Sequence, residues 1–228
     1  MSRQLVALIR HGAYHQLADT PSASQPFPLT ESGIQHARQS ATAVRQFSQQ
    51  ERVAIDDTIH CSTLLRAWQT ASVIAQQLDN HPTLQESDQL AERSVGSVAN
   101  LSVATIEQLI ESDPRYEPLP DNWKSTSQFR LPFPGAESLL EAGERVASYI
   151  KQVVEPLLDT ESALHLLVGH GAAFRHAAYH LGVLPLAAVA TISMYHNQPV
   201  FLQVDGQREW RSAGGRWRPR QLSTQEID

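Results

Sequence analysis

Leu5-Val6-Ala7-Leu8-Ile9-Arg10-His11-Gly12, four residues from the N-terminus of this 228-residue chain, is the segment from which an architecture can be built. Five apolar residues in succession fit a short strand buried in the core. The run ends in an arginine, a histidine and a glycine, so the strand delivers two ionisable side chains to its carboxyl end, where open α/β sheets bind ligands. A planar guanidinium beside an imidazole suits an anion, phosphate above all, because arginine offers paired donors while histidine can attack or shuttle protons. Taken alone, the tripeptide reads equally well as a polar turn after a strand.

The same grammar recurs downstream. Ile55 to Cys61 reads as a second strand, weakened by Asp56 and Asp57, and it feeds Ser62-Thr63-Leu64-Leu65-Arg66-Ala67-Trp68-Gln69-Thr70-Ala71, a helix continuing to about Leu78. Leu164-His165-Leu166-Leu167-Val168-Gly169-His170-Gly171 is a third apolar strand, with a histidine between glycines, and Ala172 to Leu181 follows as a helix. Thr30 caps a helix bearing Ile34, Ala37, Ala41, Val44 and Phe47 at helical spacing. Ser102 caps a short helix with Ile106, Leu109 and Ile110, and Glu137 to Leu158 carries the strongest helical period in the chain. Residues 113–136, rich in proline with Trp123, Phe129 and Phe133, read as a long loop. The C-terminal part reads as β, with strands at Thr191 to Tyr195, Val200 to Val204 and Glu209 to Ser212 around an Asp205-Gly206 turn. Strands alternating with helices predict an α/β fold with a mainly parallel sheet in a single domain spanning 1–228, of which 213–228 is a flexible basic tail.

Composition narrows the function. A net charge of −6 argues against a nucleic-acid partner, which needs a basic surface. Arg208, Arg211, Arg216, Arg218 and Arg220, interleaved with Trp210 and Trp217, form the one basic stretch and read as a solvated tail. A single cysteine, Cys61, fits a reducing compartment. No apolar run is long enough to cross a bilayer, and the first is too short and too soon charged to be a targeting signal. The expectation is therefore no membrane partner and a cytoplasmic location.

Parallel strands share a carboxyl edge, so Arg10, His11, Arg66 and His170, each following a predicted strand, converge there. Two arginines and two histidines are suited to a dianion. Phosphoryl transfer needs an in-line nucleophile, positive charge on the equatorial oxygens, and an acid for the departing alkoxide. Either histidine could form a phosphohistidine. The acid should be a carboxyl group: Glu92 is the first choice, with Glu86, Asp88 and Glu137 behind it.

Leu8-Ile9-Arg10-His11-Gly12, Ser62 through Ala71 with Arg66, Leu90-Ala91-Glu92, Pro134-Gly135-Ala136-Glu137-Ser138 and Val168-Gly169-His170-Gly171 resemble, in order, the motifs of the histidine phosphatase superfamily, which includes cofactor-dependent phosphoglycerate mutases. The resemblance implies a three-layer α/β/α, phosphoglycerate mutase-like fold, His11 as the phosphorylated nucleophile, and Arg10, Arg66 and His170 as phosphate contacts. It implies Glu92 as proton donor and then as the base that activates water, with no metal and no organic cofactor. Mutase-type sequences follow Arg-His-Gly with Glu-Ser and soon an Asn, whereas this chain has Ala13, Tyr14, His15 and Gln16. Arg-His-x-x-Tyr-His is similar to a branch that includes a serine/threonine protein phosphatase. The expected function is thus a metal-independent phosphatase acting on a phosphomonoester, either a small molecule or a phosphoprotein, with Tyr14 and His15 as substrate contacts. The alternatives are a phosphoglycerate mutase and a catalytically silent phospho-ligand module.

Two rival constellations are weaker. Cys61 and Arg66 are separated by four residues rather than the five of cysteine-dependent phosphatases, with no glycine between. His176 and His180 share a helix face, but no acidic or cysteine partner stands at zinc-ligand spacing.

Overall fold

In the computed structural model, which describes residues 3–220, Gln4 to Ile9 are all buried and form the core of the central strand β1 (Gln4–Arg10). The chain continues through α1 (Glu31–Glu51), β2 (Ala54–Ser62), α2 (Leu65–Gln77) and β3 (Thr83–Ser87). Next come α3 (Val103–Ser112), α4 (Leu139–Val154), β4 (Ala163–Gly169), α5 (Gly171–His180) and the short α6 (Leu186–Val189). It closes with β5 (Ile192–Ser193), β6 (Val200–Val204), β7 (Trp210–Gly214) and β8 (Arg218–Pro219). The main sheet has the order β3-β2-β4-β1-β6-β7. Strands β1 to β4 run parallel, while β6 and β7 are antiparallel additions on the far side of β1.

Alternation along β1 builds the three layers. Leu5, Ala7 and Ile9 pack with Ala37, Ala41 and Val44 of α1 and Ala67, Ala71 and Ile74 of α2. Val6 and Leu8 point the other way, against Val146 and Ile150 of α4 and Ala173, Phe174 and Ala177 of α5. Burying a Leu or Val side chain on either face contributes roughly 1.5–3 kcal/mol, so a one-residue slip of β1 would exchange two well-packed sets and is strongly opposed. Thr30 caps α1 by accepting from Gly33 N, and Ser138 and Glu141 cap α4 reciprocally.

Several expectations shift on contact with the fold. The predicted helix 137–158 begins at Leu139, since Ser138 is its cap, and its last turn tightens to a 3₁₀ form at Glu155–Leu157, where Pro156 falls. β3 was not legible because it is a mostly exposed edge strand without apolar alternation. Asp56 and Asp57 fall where the β2–β4 register shifts between Ile55 and Ile59, and Asp56 uses the irregularity to reach the buried ring of His165 at 3.2 Å. The expected flexible tail from residue 213 does not hold for residues 213–220. Gly214 ends β7, and Arg218–Pro219 pair with β5. Residues 221–228 lie outside the described residues. The loop 113–136 packs Trp123 and Leu131 against Val103, Ile106 and Ile110 of α3, forming a satellite core.

Candidate active site

Neighbouring parallel strands fix the first contacts. Arg10 is opposite Gly169 in the β1–β4 register, and the next residue on each strand is a histidine. His11 N–H donates to Gly169 O at 2.9 Å, and the His11 and His170 rings stand 5.0 Å apart between centroids. Gly12 and Gly33 allow the start of α1 to close on this edge. A Cβ on Gly33 would sit 1.9 Å from Ala13 O, and one on Gly12 would sit 2.3 Å from Gly33 O.

Arg66, in the first turn of α2, is wholly buried and ties the site together. Its Nε donates to His11 Nε2 at 3.3 Å, and one terminal nitrogen donates to His170 Nδ1 at 3.3 Å. Two further N–H groups go to the carbonyls of Ser22 at 2.9 Å and Gln25 at 3.1 Å on the loop after β1. A guanidinium has no acceptor, so both ring nitrogens facing it carry lone pairs. The opposite nitrogens are then the donors, His11 Nδ1 to Gly12 O at 2.8 Å and His170 Nε2 to Ser62 Oγ at 3.0 Å. The network therefore prepares His11 Nε2 as an unprotonated atom directed at the arginine.

Electrostatics reinforce that state. Burial, then the positive charge of Arg66, hold His11 well below the ordinary imidazole range, with His170, Arg10 and His196 adding to the effect. His170 is lowered in the same way by burial, Arg66 and Arg10. Arg10 is anchored by donation to Met194 O at 3.0 Å beside β5.

A cavity of about 120 Å³ opens over His11, lined by Arg10, Tyr14, Ser22, Glu92 and His196 among others. Glu92 is buried, and its Oε1 accepts from Arg93 N at 2.9 Å and Ala173 N at 3.2 Å. The second of these is a free N–H of the first turn of α5, so the helix end fixes the carboxyl group. Tyr14 is edge-on to His11 at 5.4 Å, and its face carries the Arg66 guanidinium at 4.7 Å from the centroid.

His15, expected beside Tyr14, is exposed and does not line this cavity, because the Tyr14–Leu29 bridge turns Tyr14 inward and its neighbour outward. The less favoured acids have other work. Glu137 receives a paired contact from Arg145 at 2.8 Å and 2.8 Å and caps Ser94 N, while Glu86 lies on the edge strand β3. Cys61 is buried with its thiol pushed up to about 12, which suits an inert core residue. His176 and His180 are bonded to Ser127, Ala172 O and Leu140 O, and no metal-binding cluster exists among the described residues.

His196 was missed. Its Nδ1 donates to His11 O at 2.6 Å, its ring lies 5.6 Å from that of His11, and it stacks on His36 at 5.6 Å. Burial and Arg10 hold it down to about 3. A histidine just after a predicted strand was the available signal, the same one that marked His11 and His170. It went unread because the C-terminal strands gave no reason to expect a return to the parallel edge.

The family model of the histidine phosphatase superfamily (branch 1) matches residues 6–213. A 2,3-bisphosphoglycerate-dependent phosphoglycerate mutase of Parvibaculum lavamentivorans is 25% identical over 207 residues, covering 88% of this chain and 90% of the relative. The fold is shared with a mycobacterial glucosyl-3-phosphoglycerate phosphatase solved with inorganic phosphate, at TM-score 0.62, 18% identity and coverage of 95% of each chain. It is shared equally with a phosphoglycerate mutase from Bacillus anthracis, at TM-score 0.69 and 14% identity, covering 93% of this chain and 92% of the other.

Proposed function

This chain belongs to the histidine phosphatase superfamily, and from that premise we propose that it is a metal-independent phosphatase hydrolysing a phosphomonoester through a phosphohistidine on His11. The observation that carries the reading is the lone pair of His11 Nε2, held toward Arg66 Nε at 3.3 Å in a cavity that Glu92 also lines. In the first half-reaction Nε2 attacks phosphorus, and the bond to the ester oxygen breaks. The Glu92 carboxyl gives its proton to the departing alkoxide. In the second, the Glu92 carboxylate takes a proton from water as that water attacks the phosphohistidine, releasing inorganic phosphate and regenerating both side chains. Arg10, Arg66 and His170 stabilise the charge on the equatorial oxygens. Cytoplasmic residence belongs to the same reading, supported by the single buried cysteine.

Incubating the protein with a ³²P-labelled phosphomonoester and quenching in alkali should trap acid-labile label on His11. A His11→Ala protein that hydrolyses at the wild-type rate would overturn the reading. Mutase chemistry is the second reading, favoured by the curated relative at 25% identity. Against it stands Ala13-Tyr14-His15-Gln16 after Gly12, and conversion of 3- to 2-phosphoglycerate with a bisphosphate primer would establish it.

A further inference from the structure

Glu92 sits on a short connection with no strand or helix of its own, between 3₁₀ turns at Asp88–Leu90 and Gly96–Val98. A general acid must place its proton within hydrogen-bond reach of the departing oxygen, so a side chain on such a segment has to be fixed from outside. One carboxyl oxygen is fixed directly: Oε1 accepts from Arg93 N and Ala173 N, which leaves Oε2 to carry the proton. The main chain on either side is held by an ion pair that the reaction does not use. Arg145, on α4, meets Glu137 through two parallel contacts, Nε to Oε1 and Nη2 to Oε2, both at 2.8 Å. Its Nη1 turns to the segment before the acid and donates to the carbonyls of Asp88 at 3.3 Å, Gln89 at 2.8 Å and Ala91 at 3.2 Å. Glu137 takes the segment after it. Oε2 of Glu137 accepts from Ser94 N at 3.0 Å, and Glu137 N–H donates to Ser94 O at 2.9 Å.

The pair thus grips the chain on both sides of Glu92, at Ala91 through the arginine and at Ser94 through the glutamate. Carbonyls at the end of a helical turn run out of partners inside it, and a guanidinium is well suited to capping several at once. With side chains 18% and 24% exposed, an ion pair of this kind adds little to global stability. Its contacts converge instead on residues 88–94. We propose that Arg145 and Glu137 are positioning residues for the proton donor: they hold this stretch so that Glu92 Oε2 reaches the departing oxygen, and neither touches the substrate. The inference rests on the phosphatase reading above, and it gives a function to Glu137 of the Pro134–Ser138 stretch, which the chemistry itself leaves unused.

Leaving-group acidity tests it. p-Nitrophenolate departs readily without a proton, whereas phenolate, of nearly the same shape, depends more on the acid. Because kcat/KM reports the half-reaction in which that oxygen leaves, the ratio of kcat/KM for phenyl phosphate to that for p-nitrophenyl phosphate measures what the acid contributes. Glu92→Gln should lower the ratio at least about tenfold. Arg145→Gln and Glu137→Gln should each lower it at least about threefold, since small displacements of a reacting group are costly in rate, and neither should lower it further when combined with Glu92→Gln. A purely structural role reduces the folded fraction and cuts both substrates alike, so partial unfolding of the Arg145 variant leaves the ratio where it was. Glu137→Gln, isosteric and partly exposed, is the milder second probe. A ratio unchanged in both variants would overturn the positioning role, as would a fall of equal size in the Glu92→Gln background. The Glu92→Gln protein separates the levels. If its ratio falls and those of the pair variants do not, positioning alone is wrong; if its ratio stays at the wild-type value, or the wild type hydrolyses neither ester, the phosphatase reading fails and the positioning role with it.

Discussion

Arg66 donates through Nε to His11 Nε2 at 3.3 Å, a contact between the first turn of α2 and the end of β1 that no other side chain duplicates in the described site. The same guanidinium reaches His170 Nδ1 and two loop carbonyls, so its shape matters as well as its charge. Arg66→Lys keeps the charge but cannot reproduce the fork. Loss of one preorganised charged donor costs ~3–4 kcal/mol in the transition state, so kcat should fall by roughly a hundredfold or more for Arg66→Lys as well as for Arg66→Ala. Steady-state kinetics on p-nitrophenyl phosphate would check this, and a lysine variant within threefold of wild type would show that charge alone suffices.

His196 supports His11 through the backbone, its Nδ1 donating to His11 O at 2.6 Å. Leaving that carbonyl unsatisfied costs ~1–3 kcal/mol, part of which appears as a displaced nucleophile. His196→Ala should lower the rate of phosphohistidine formation in a rapid-quench experiment by roughly tenfold, and His196→Asn, which offers an amide donor, should recover part of it. If the asparagine variant is no better than alanine, the bond does not position His11.

The pH profile should lack an ordinary histidine limb. Burial and Arg66 hold His11 well below the usual range, so the free enzyme keeps its nucleophile unprotonated through pH 6.5. After correction for substrate ionisation, kcat/KM should show no break at the ordinary imidazole value of about 6.5. An unperturbed imidazole would instead cost about tenfold per unit below its pKa of about 6.5. A corrected break near 6.5 that disappears in no other variant would place His11 in water-like surroundings.

Acid stability follows from the same groups with a definite sign. His11, His170, His176 and His196 all have folded-state values below their unfolded ones, with His176 and His196 at about 3. Between those values and about 6.5 the unfolded chain binds more protons, so the stabilisation is complete above about 6.5 and is lost as pH falls. Each such group contributes up to ~1.4 kcal/mol per pH unit in that window. Urea unfolding at pH 5 and pH 7 should show the lower midpoint at pH 5, and His176→Gln should reduce the pH dependence by close to one proton.

The parallel edge was legible because its signals are local: apolar runs that stop at Arg10-His11, Ser62 through Arg66, and Gly169-His170. Register then follows from pairing, which puts Arg10 opposite Gly169 and makes the two histidines neighbours. His196 was not legible. It depends on a segment distant in sequence, just after β5, that folds back on the edge. His15 shows the converse, since adjacency to Tyr14 in the chain opposes adjacency in space once the Leu29 bridge fixes which side faces inward.

Gly143, in the middle of α4, lowers helix propensity. The reason for glycine there lies across the helix interface. A Cβ on Gly143 would meet His176 Cβ at 2.4 Å and the His176 carbonyl carbon at 2.6 Å. Replacement by alanine gains about 1 kcal/mol of propensity, but overpacking against backbone costs about 1–3 kcal/mol, and here the neighbour is a main-chain atom of α5 that cannot rotate away. The balance should therefore be net destabilisation of up to about 2 kcal/mol for Gly143→Ala, read as a lower urea midpoint at unchanged m-value. Activity should fall as well, because α5 carries the N–H of Ala173 that holds Glu92 Oε1 at 3.2 Å, so a shift of the helix moves the proposed acid. A Gly143→Ala protein more stable than wild type would mean that α4 and α5 part without resistance, contrary to the packing at His176.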